Sequence, residues 1–391
     1  MAGPLAGVRV VEMVGLGPCP FAAMMLADMG AEVIRIDRKP APMTVAGTAI
    51  ASGNPFPMLG TKFDVMARGR RSLALDLKLP AAKEVVLRLF DQADVVLEGF
   101  RPGVMERLGF GPDVCHARNP KLVFGRVTGW GQHGPLAQAA GHDLNYIALT
   151  GMLHGMGRAD LPPAPPLNLV GDFGGGAMML AFGVVCAVLE ARGSGKGQVV
   201  DAAMTDGAAL LGAMMYGMRA FGAWNDGREA NLLDGGAPFY DSYACGDGKF
   251  ITIGSLEPQF YAQLLSLTGA SDPVFENQMD QQGWPRMKAH FEALFKTRTR
   301  ADWCQLLEAT DVCFAPVLDM AEAPAHPHNV ARATFIDIDG VIQPAPAPRF
   351  SRTAPSAGSA ASKPGADGAA ILADWGWTPE EVNALGDAHV I

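Results

Sequence analysis

The chain has 391 residues, of which 49% are hydrophobic and 18% are charged, a composition that excludes a disordered chain. At about 150 residues per domain, this length predicts two or three structural units. The formal net charge of −9, together with the lack of a basic helix or zinc-finger spacing, argues against nucleic acid as a partner.

Short apolar segments and helical patterns alternate in the first third of the chain. The predicted strands are Val8–Val11, Glu32–Ile36, Asp94–Glu98 and Leu122–Val127, and the predicted helices are Pro20–Met29 and Ala81–Gln92. Strands that alternate with helices through right-handed crossovers form a parallel sheet with helices on both faces. We therefore expect a large domain of the α/β class.

The middle of the chain is predicted to be mainly helical. Helices are expected at His142–Leu153, Phe173–Ala191 and Thr205–Phe221, with one strand at Gln198–Ala202. The longest apolar run, Gly174 to Leu189, is shorter than the roughly 20 residues of a membrane span. It favours a buried helix, so we expect no membrane partner.

The pattern changes near Asp234. Tyr240–Cys245 and Lys249–Ile253 flank a glycine-containing turn and predict a β-hairpin, and a helix is expected from Glu257 to about Leu267. We predict a large domain at 1–203 that is completed by 347–391, a linker at 204–239, a small α+β domain at 240–320, and a second linker at 321–346.

The cysteine pattern bears on the compartment and on metal binding. The six cysteines are scattered without a C-x-x-C spacing, and no cationic leader precedes an apolar stretch at the N-terminus. Such a pattern is typical of reduced thiols, so we expect a cytoplasmic protein. His326 and His328 lack zinc-like partners at ligand spacing, and no metal is expected.

One glycine-rich turn imitates a dinucleotide-binding fingerprint. Gly15–Pro20 follows a predicted strand and precedes a helix, and Asp37 comes about twenty residues later. Pro20 replaces the third glycine, and Pro18 removes a backbone N–H that would face phosphate. Nicotinamide binding is therefore disfavoured.

Five motifs occur in a characteristic order along the chain. They are LADMGAEVIRID (Leu26–Asp37), EGFRPGV (Glu98–Val104), TGWGQHGP (Thr128–Pro135), GHDLNYI (Gly141–Ile147) and GDFGGG (Gly171–Gly176). Together they resemble the superfamily of family III CoA-transferases and α-methylacyl-CoA racemases, from about residue 3 to residue 352. The resemblance implies a Rossmann-like large domain, an interlocked homodimer and a role in fatty acid metabolism.

The resemblance also implies an activity, which is the inversion of the α-carbon of a 2-methylacyl-CoA thioester through an enolate. Two acid/base groups must flank that carbon, and a donor must face the developing oxyanion. His142, at the start of a predicted helix, is the first candidate, and the Asp143 N–H would face the oxygen. In the structural alternative, Gly141–Asp143 is a capping sequence with Asp143 as the cap.

Asp172 and Glu257 are the other two implied catalytic residues. Asp172 is the second acid/base and opens an apolar helix, where close approach of a ligand would explain Gly174–Gly176; the structural alternative is an N-cap. Glu257 is implied to hydrogen-bond the catalytic histidine, although a glutamate before proline at a helix start is also ordinary capping chemistry. It could reach His142 only if the small domain covers the site, in cis or from the partner subunit.

The role of Asp143 distinguishes two predicted activities. In the CoA-transferases of the superfamily, an aspartate in this context is the nucleophile that forms an acyl anhydride. Here His142 precedes it, and the His-Asp order together with Asp172 and Glu257 favours the racemase. A non-catalytic CoA-binding protein is the alternative of another class.

CoA recognition requires cations for the phosphates and a platform for adenine. By resemblance, Arg38 lies against adenine, and Leu75 and Lys78 belong to the strand that flanks it, which Arg70 and Arg71 precede. Arg101 and Arg107 resemble the phosphate ligands, and the planar guanidinium suits phosphate well. CoA is part of the substrate, so no further cofactor is expected. The stretch Lys39–Gly69 is longer than is typical of bacterial racemases and adjoins the expected CoA mouth.

Overall fold

A computed structural model describes residues 3–39 and 56–391, so most of the unusual stretch before Gly69 lies outside the described residues. The chain forms two compact units. The large unit comprises Met1–Thr150, Leu167–Leu211 and Ala333–Ile391, and the small unit comprises Gly151–Pro166 and Gly212–Arg332. These boundaries differ from the predicted ones, because 204–211 and 333–346 belong to the large unit and 151–166 to the small one.

A six-stranded sheet organises the large unit. Its strands are β1 (Arg9–Met13), β2 (Glu32–Arg38), β3 (Arg71–Leu75), β4 (Val95–Glu98), β5 (Val123–Thr128) and β6 (Val199–Ala203). They pair in the order β3-β2-β1-β4-β5-β6, and every pair is parallel. This is the strand order of a Rossmann fold, and it confirms the predicted α/β class.

Helices cover both faces of this sheet. They are α1 (Pro18–Asp28), α2 (Pro80–Phe90), α3 (Val104–Leu108), α4 (Pro112–Arg118), α5 (Asp143–Ala148), α6 (Met179–Ser194) and α7 (Met204–Leu211). Val10 and Val11 point to opposite faces because strand side chains alternate. Val10 packs with Leu26 and Leu180 of α1 and α6, and Val11 packs with Leu89 of α2.

The small unit is α+β, as predicted. Its elements are α8 (Ala213–Phe221), β7 (Tyr240–Ala244), β8 (Phe250–Gly254), α9 (Pro258–Thr268), α10 (Trp284–Phe295), α11 (Arg300–Leu307), β9 (Phe314–Val317) and α12 (Pro327–Ala331). The predicted hairpin is β7 and β8, and β9 joins it as a third antiparallel strand. Tyr243, Phe291 and Trp303 belong to its core.

The chain returns to the large unit in its last segment. This segment contains the antiparallel pair β10 (Phe335–Ile338) and β11 (Val341–Pro344), followed by α13 (Gly368–Asp374) and α14 (Pro379–Asp387). Ile371 and Trp375 are buried in the same core cluster as Leu89. Short 3₁₀ turns lie at Val65–Ala67, Leu153–Gly155, Pro273–Phe275 and Ala323–Ala325.

The predicted long helices differ in detail from the observed ones. The helix expected at Phe173 begins earlier, as a π-helix at Leu169–Met178 that continues into α6. The helix expected over Thr205–Phe221 is divided into α7 and α8 near Gly212, since glycine is a weak helix former. By length and composition Leu169–Ser194 could cross a membrane, yet Leu180 and Val184 are buried in the core of the sheet.

Close packing of two segments explains one of the three consecutive glycines. A Cβ at Gly175 would lie 2.6 Å from the Ala208 N, and a Cβ at Gly207 would lie 1.9 Å from the Gly175 O. The π-helix and α7 therefore touch through their backbones. Helix packing, not the approach of a ligand, is the reason for glycine at position 175, which corrects the prediction.

This contact predicts the effect of adding one methyl group. We expect Gly207→Ala to lower the free energy of unfolding by about 1–3 kcal/mol or more, because neither backbone can move aside cheaply. Urea denaturation followed by circular dichroism measures the change. Gly193→Ala in α6 is the matched control, since a Cβ there meets nothing within 4 Å among the described residues. It should leave stability unchanged or raise it by up to about 1 kcal/mol.

Candidate active site

A cavity of about 640 Å³ opens at the carboxyl ends of the central strands. Leu16 follows β1, Arg101 follows β4 and Trp130 follows β5, and all three line it. The neighbouring strands β1 and β4 are where the strand order reverses, and open α/β sheets bind ligands at this place. Other residues that line the cavity include Gly17, Phe56, Met58, Leu59, Phe100, His142, Tyr146, Asn168, Asp172, Phe173 and Met204.

His142 lines this cavity from the start of α5. It is the N-cap residue of the helix, and its N–H donates to the Asn145 Oδ1 at 3.0 Å. The interpretation with Asp143 as the cap is therefore wrong. Asp143 occupies the first helical position, where a backbone N–H has no intrahelical acceptor. Among the described residues no group accepts from it.

Asp172 is held in the same cavity by two contacts. Its N–H donates to the Asp143 Oδ1 at 2.6 Å, and its Oδ2 accepts from the Asn168 Nδ2 at 3.1 Å. Asp172 is the fourth residue of the π-helix, whose N-cap is Asn168, so the prediction that it opens or caps the helix is wrong.

The surroundings of Asp172 change its acidity. Burial raises the pKa of this carboxyl above its usual range, and the nearby Asp143 carboxylate raises it further. The Asn168 hydrogen bond and the His142 imidazole act in the opposite direction. A carboxyl with a raised pKa can hold a proton at a higher pH than an ordinary aspartate, which suits acid/base chemistry.

Asp143 itself is buried beside the cavity and is not among its lining residues. Its relative exposure is 5%, one oxygen accepts from Asp172, and the other has no hydrogen-bond partner among the described residues. A nucleophile must contact the carbon that it attacks. The enclosed Asp143 carboxylate is thus poorly placed for the transferase route.

Two further polar residues of the site were not predicted from the sequence. Asn168 contacts Asp172, and the Tyr146 hydroxyl donates to the Gly141 carbonyl beside His142. Burial raises the pKa of Tyr146, and the Asp172 carboxylate adds to the effect. Each lies four residues from a predicted catalytic residue, and this spacing, which places side chains on one helix face, could have revealed both.

The cations predicted for CoA lie at the same edge of the sheet. Arg38 ends β2 next to Leu75, which ends β3, and Lys78 follows three residues later. Arg101 lines the cavity, and Arg107 is exposed on α3. In the described part of the chain, Arg38, Lys78, Arg101 and Arg107 have no ion-pair partner. They are therefore available to an anionic ligand.

Arg70 and Arg71 are not available in this way. Arg70 forms a fully buried ion pair with Glu12, and Arg71 pairs with Glu32 and Asp374 at 2.5 Å each. Both arginines therefore stabilise the fold and are not available to an anionic ligand.

Comparison with known proteins assigns the fold and the motifs to one family. The model of CoA-transferase family III matches residues 5–368. The chain belongs to this family.

Several relatives in family III cover nearly the whole chain. Alpha-methylacyl-CoA racemase of Mus musculus is 43% identical over 99% of this chain and 97% of its own length. The protein of the same name from Homo sapiens is 41% identical, again over 99% and 97%. The crystal structure of a CAIB/BAIF family protein from Brucella suis has a TM-score of 0.78 at 27% identity and covers 96% of this chain and 100% of that one.

The glycine-rich turn after β1 has a role that differs from phosphate binding. Gly17 has φ 67°, and a Cβ there would lie 3.3 Å from the Asp172 Oδ2. The turn therefore contributes to the pocket around the carboxylate. The contact with Asp172 gives a reason for glycine at position 17, so the turn resembles a dinucleotide-binding fingerprint for a reason other than phosphate binding.

Glu257 belongs to the small unit, whereas the residues lining the cavity belong to the large one. It is the N-cap residue of α9, it is exposed, and its side chain makes no capping hydrogen bond. Its charge contributes to a raised pKa of the Cys313 thiol, after the larger effect of burial. Its predicted contact with His142 stays a prediction.

The contacts of Asp172 predict opposite effects of two substitutions on its pKa. Asn168→Ala removes a hydrogen bond to the carboxylate and should raise the pKa. Asp143→Asn removes a neighbouring negative charge but keeps an acceptor for the Asp172 N–H, and should lower it. Carbon NMR titration of labelled aspartate carboxyls measures both, with Asp172→Asn identifying the signal. Shifts in the same direction would contradict the assigned contacts.

Proposed function

We propose that this chain inverts the α-carbon of 2-methylacyl-CoA thioesters by a two-base transfer of one proton. The observation that carries the proposal is the placement of an imidazole and a carboxyl with raised pKa, His142 and Asp172, in one cavity at the switch point of the sheet. The relatives called alpha-methylacyl-CoA racemase support the same reaction.

The reaction requires one proton to leave and another to arrive at the opposite face. One base takes the α-proton, and the electron pair of the broken C–H bond moves to the thioester oxygen as an enolate. The other group, still protonated, then delivers its proton to the α-carbon. His142 and Asp172 exchange these roles with the direction of the reaction. The net change is redox-neutral, so the proposed reaction calls for no redox cofactor.

The enolate oxygen needs a hydrogen-bond donor placed in advance. The Asp143 N–H is adjacent to His142, and no group accepts from it among the described residues. We assign it to this oxygen, because a preorganised backbone donor stabilises charge that develops in the transition state. Glu257 is proposed to hydrogen-bond and orient His142, either from the same chain or from the partner.

The unpaired cations are proposed to hold the CoA moiety. Arg38 lies against adenine, with Leu75 and Lys78 on the flanking strand, and Arg101 and Arg107 contact the phosphates. The parallel register supports this assignment because it gathers the ends of β2, β3 and β4 at one edge. Charge-assisted hydrogen bonds from arginine to phosphate are among the stronger polar contacts in proteins.

We propose that this chain is a cytoplasmic enzyme of fatty acid metabolism. The six cysteines, all free thiols, are typical of a reducing compartment. Fatty acid metabolism is one source of 2-methylacyl-CoA thioesters, the substrate class of the proposed reaction.

Exchange of the α-proton tests the proposed function. Incubation of one stereoisomer of a 2-methylacyl-CoA in deuterated water should place deuterium on the α-carbon and yield both stereoisomers. His142→Ala and Asp172→Asn should each lower the rate of inversion by about 10²–10⁴-fold, because each removes one of the two acid/base groups. Proton NMR and chiral separation of the acids measure the two effects.

His133→Ala is the matched control, because His133 is exposed and does not line the cavity. We expect its rate to stay within about twofold of the wild type. Transfer of CoA to a free acid, with a hydroxylamine-trappable acyl-enzyme and no exchange, would favour a transferase acting through Asp143. Acyl-CoA binding without either reaction would identify a non-catalytic binding protein.

We also propose that the chain acts as a homodimer. Met178, the last residue of the π-helix, forms an apolar stripe at helical spacing with Phe182, Val185 and Leu189 of α6. The exposures of the four side chains are 51%, 70%, 40% and 74%. An exposed stripe of this size is typical of an interface.

Sedimentation tests the dimer. The wild type should sediment at twice the chain mass, and Phe182→Glu should shift it toward the monomer because a charge would then be buried in the interface. Val114→Glu, at an exposed apolar position on α4, is the control and should leave the mass unchanged. A wild-type monomer at micromolar concentration would contradict the proposal.

A further inference from the structure

A buried arginine in the central sheet binds two carboxylates at once. Arg126 belongs to β5 and is 5% exposed, and its register partner in β4 is the fully buried Glu98. The Arg126 Nε donates to the Glu98 Oε1 at 2.6 Å. Its two terminal nitrogens donate to the two oxygens of Glu106 at 2.8 and 3.2 Å. One guanidinium thus connects the end of a strand to the helix α3.

The two carboxylates lie on either side of a loop that borders the cavity. We call Gly99–Gly103 the cavity loop, since its first four residues line the cavity. Glu98 precedes this loop, and its Oε2 accepts from the Phe100 N–H at 2.7 Å. Glu106 follows the loop on α3, whose N-cap is Gly103. Arg126 therefore holds the cavity loop at its start and, through α3, at its end.

Both arginines proposed to contact the CoA phosphates are carried by this assembly. Arg101 lies in the middle of the cavity loop, and its carbonyl accepts from the Val104 N–H at 3.1 Å. Arg107 follows Glu106 in α3, and a Cβ at Gly103 would lie 3.1 Å from the Arg107 Nη1. The positions of both guanidinium groups thus depend on the segment that Arg126 holds.

Arg126 also keeps the two carboxylates occupied. Burial raises the pKa of the Glu98 carboxyl, and the hydrogen bond and the charge of Arg126 act against this rise. The hydrogen bond from Arg126 lowers the pKa of the Glu106 carboxyl. A carboxylate released from Arg126 would be close in sequence to Arg101 and Arg107. It would then compete with phosphate for them, because arginine pairs well with either anion.

From this geometry we propose that Arg126 is a positioning residue for CoA recognition. It fixes the cavity loop and α3, and it keeps both carboxylates away from Arg101 and Arg107. The proposal rests on the CoA contacts proposed above and adds the residue that maintains them. Because Arg126 is buried and does not line the cavity, it acts through its neighbours. Its replacement should weaken phosphate binding and spare the chemistry at the α-carbon.

Arg126→Lys tests this role with two thioesters of the same acid. Lysine keeps the charge but lacks the planar fork that binds two carboxylates. We expect KM for 2-methyldecanoyl-CoA to rise about tenfold, the equivalent of one weakened charge-assisted hydrogen bond, and kcat to stay within about twofold. For 2-methyldecanoyl-pantetheine, which lacks the phosphates, kcat/KM should change by less than about twofold. Exchange of the α-proton measures all these values.

Arg118→Lys is the matched control. Arg118 also binds two carboxylates, Asp91 at 2.7 Å and Glu84 at 3.0 Å, but it lies at the surface on α4 and does not line the cavity. Its replacement should change KM and kcat by less than about twofold.

Glu106→Ala tests the same contact from its exposed side, in case the buried substitution impairs folding. The Glu106 side chain is 43% exposed, and its removal deletes a negative charge next to Arg107. If that charge alone mattered, the more positive site would bind CoA more tightly. The proposal predicts the opposite, a KM for the CoA thioester that rises about threefold or more, because α3 loses its contact with Arg126. Glu84→Ala, which removes an equal charge on α2, is the control.

Equal losses with the two thioesters, or an unchanged KM for the CoA thioester, would overturn the role of Arg126. Calorimetry of CoA binding separates this role from the racemase. A wild type that shows no exchange, but binds CoA more tightly than Arg126→Lys does, would refute the racemase and retain the role. When Arg101→Ala is combined with Arg126→Lys, the loss of CoA affinity should be smaller than the product of the two single losses, since one residue acts partly through the other.

Discussion

The hydrogen bond from the Asp172 N–H to the Asp143 Oδ1 sets the geometry of the active site, because it joins two segments that are 29 residues apart in the chain. Asp143 is adjacent to His142, and the donor belongs to Asp172, the other residue proposed for acid/base chemistry. One bond of 2.6 Å therefore couples the position of the imidazole to that of the carboxylate. The acceptor is almost fully buried, so water does not compete for the contact. The same carboxylate also raises the pKa of Asp172, so a single side chain both positions its neighbour and tunes it.

The π-helix that carries Asp172 depends in turn on glycine. Gly175 and Gly207 allow the backbones of the π-helix and α7 to touch, and Leu180 then anchors the following helix in the core. π-helices are uncommon and occur frequently at functional sites. Here the distorted segment turns Asn168 and Asp172 toward each other and toward the cavity. The close packing of Gly175 against Gly207 thus helps to hold the π-helix that carries Asp172.

The sequence predicted the parallel sheet because buried strands are continuous apolar runs, and it predicted the cavity residues His142 and Asp172 through motifs. It did not predict the π-helix, since the apolar pattern of Leu169–Ser194 does not distinguish a π-helix from an α-helix. The sequence also could not show whether Arg70 and Arg101 are free to bind an anion. Both are arginines near a strand, and only the fold shows that Glu12 neutralises one while the other faces the cavity. The domain boundaries were missed for a related reason, because α7 packs on the π-helix while α8, just beyond Gly212, belongs to the small unit.

A racemase must run in both directions at similar speed, because its substrate and product differ only in handedness. One base must be protonated and the other deprotonated in either direction, so the two proton arrangements must be close in free energy. Burial and the adjacent Asp143 carboxylate raise the pKa of the Asp172 carboxyl, which makes its protonated form easier to reach. The transferase route would require Asp143 as an accessible nucleophile, whereas the enclosed carboxylate makes a proton on Asp172 easier to keep, as the proposed proton transfer requires.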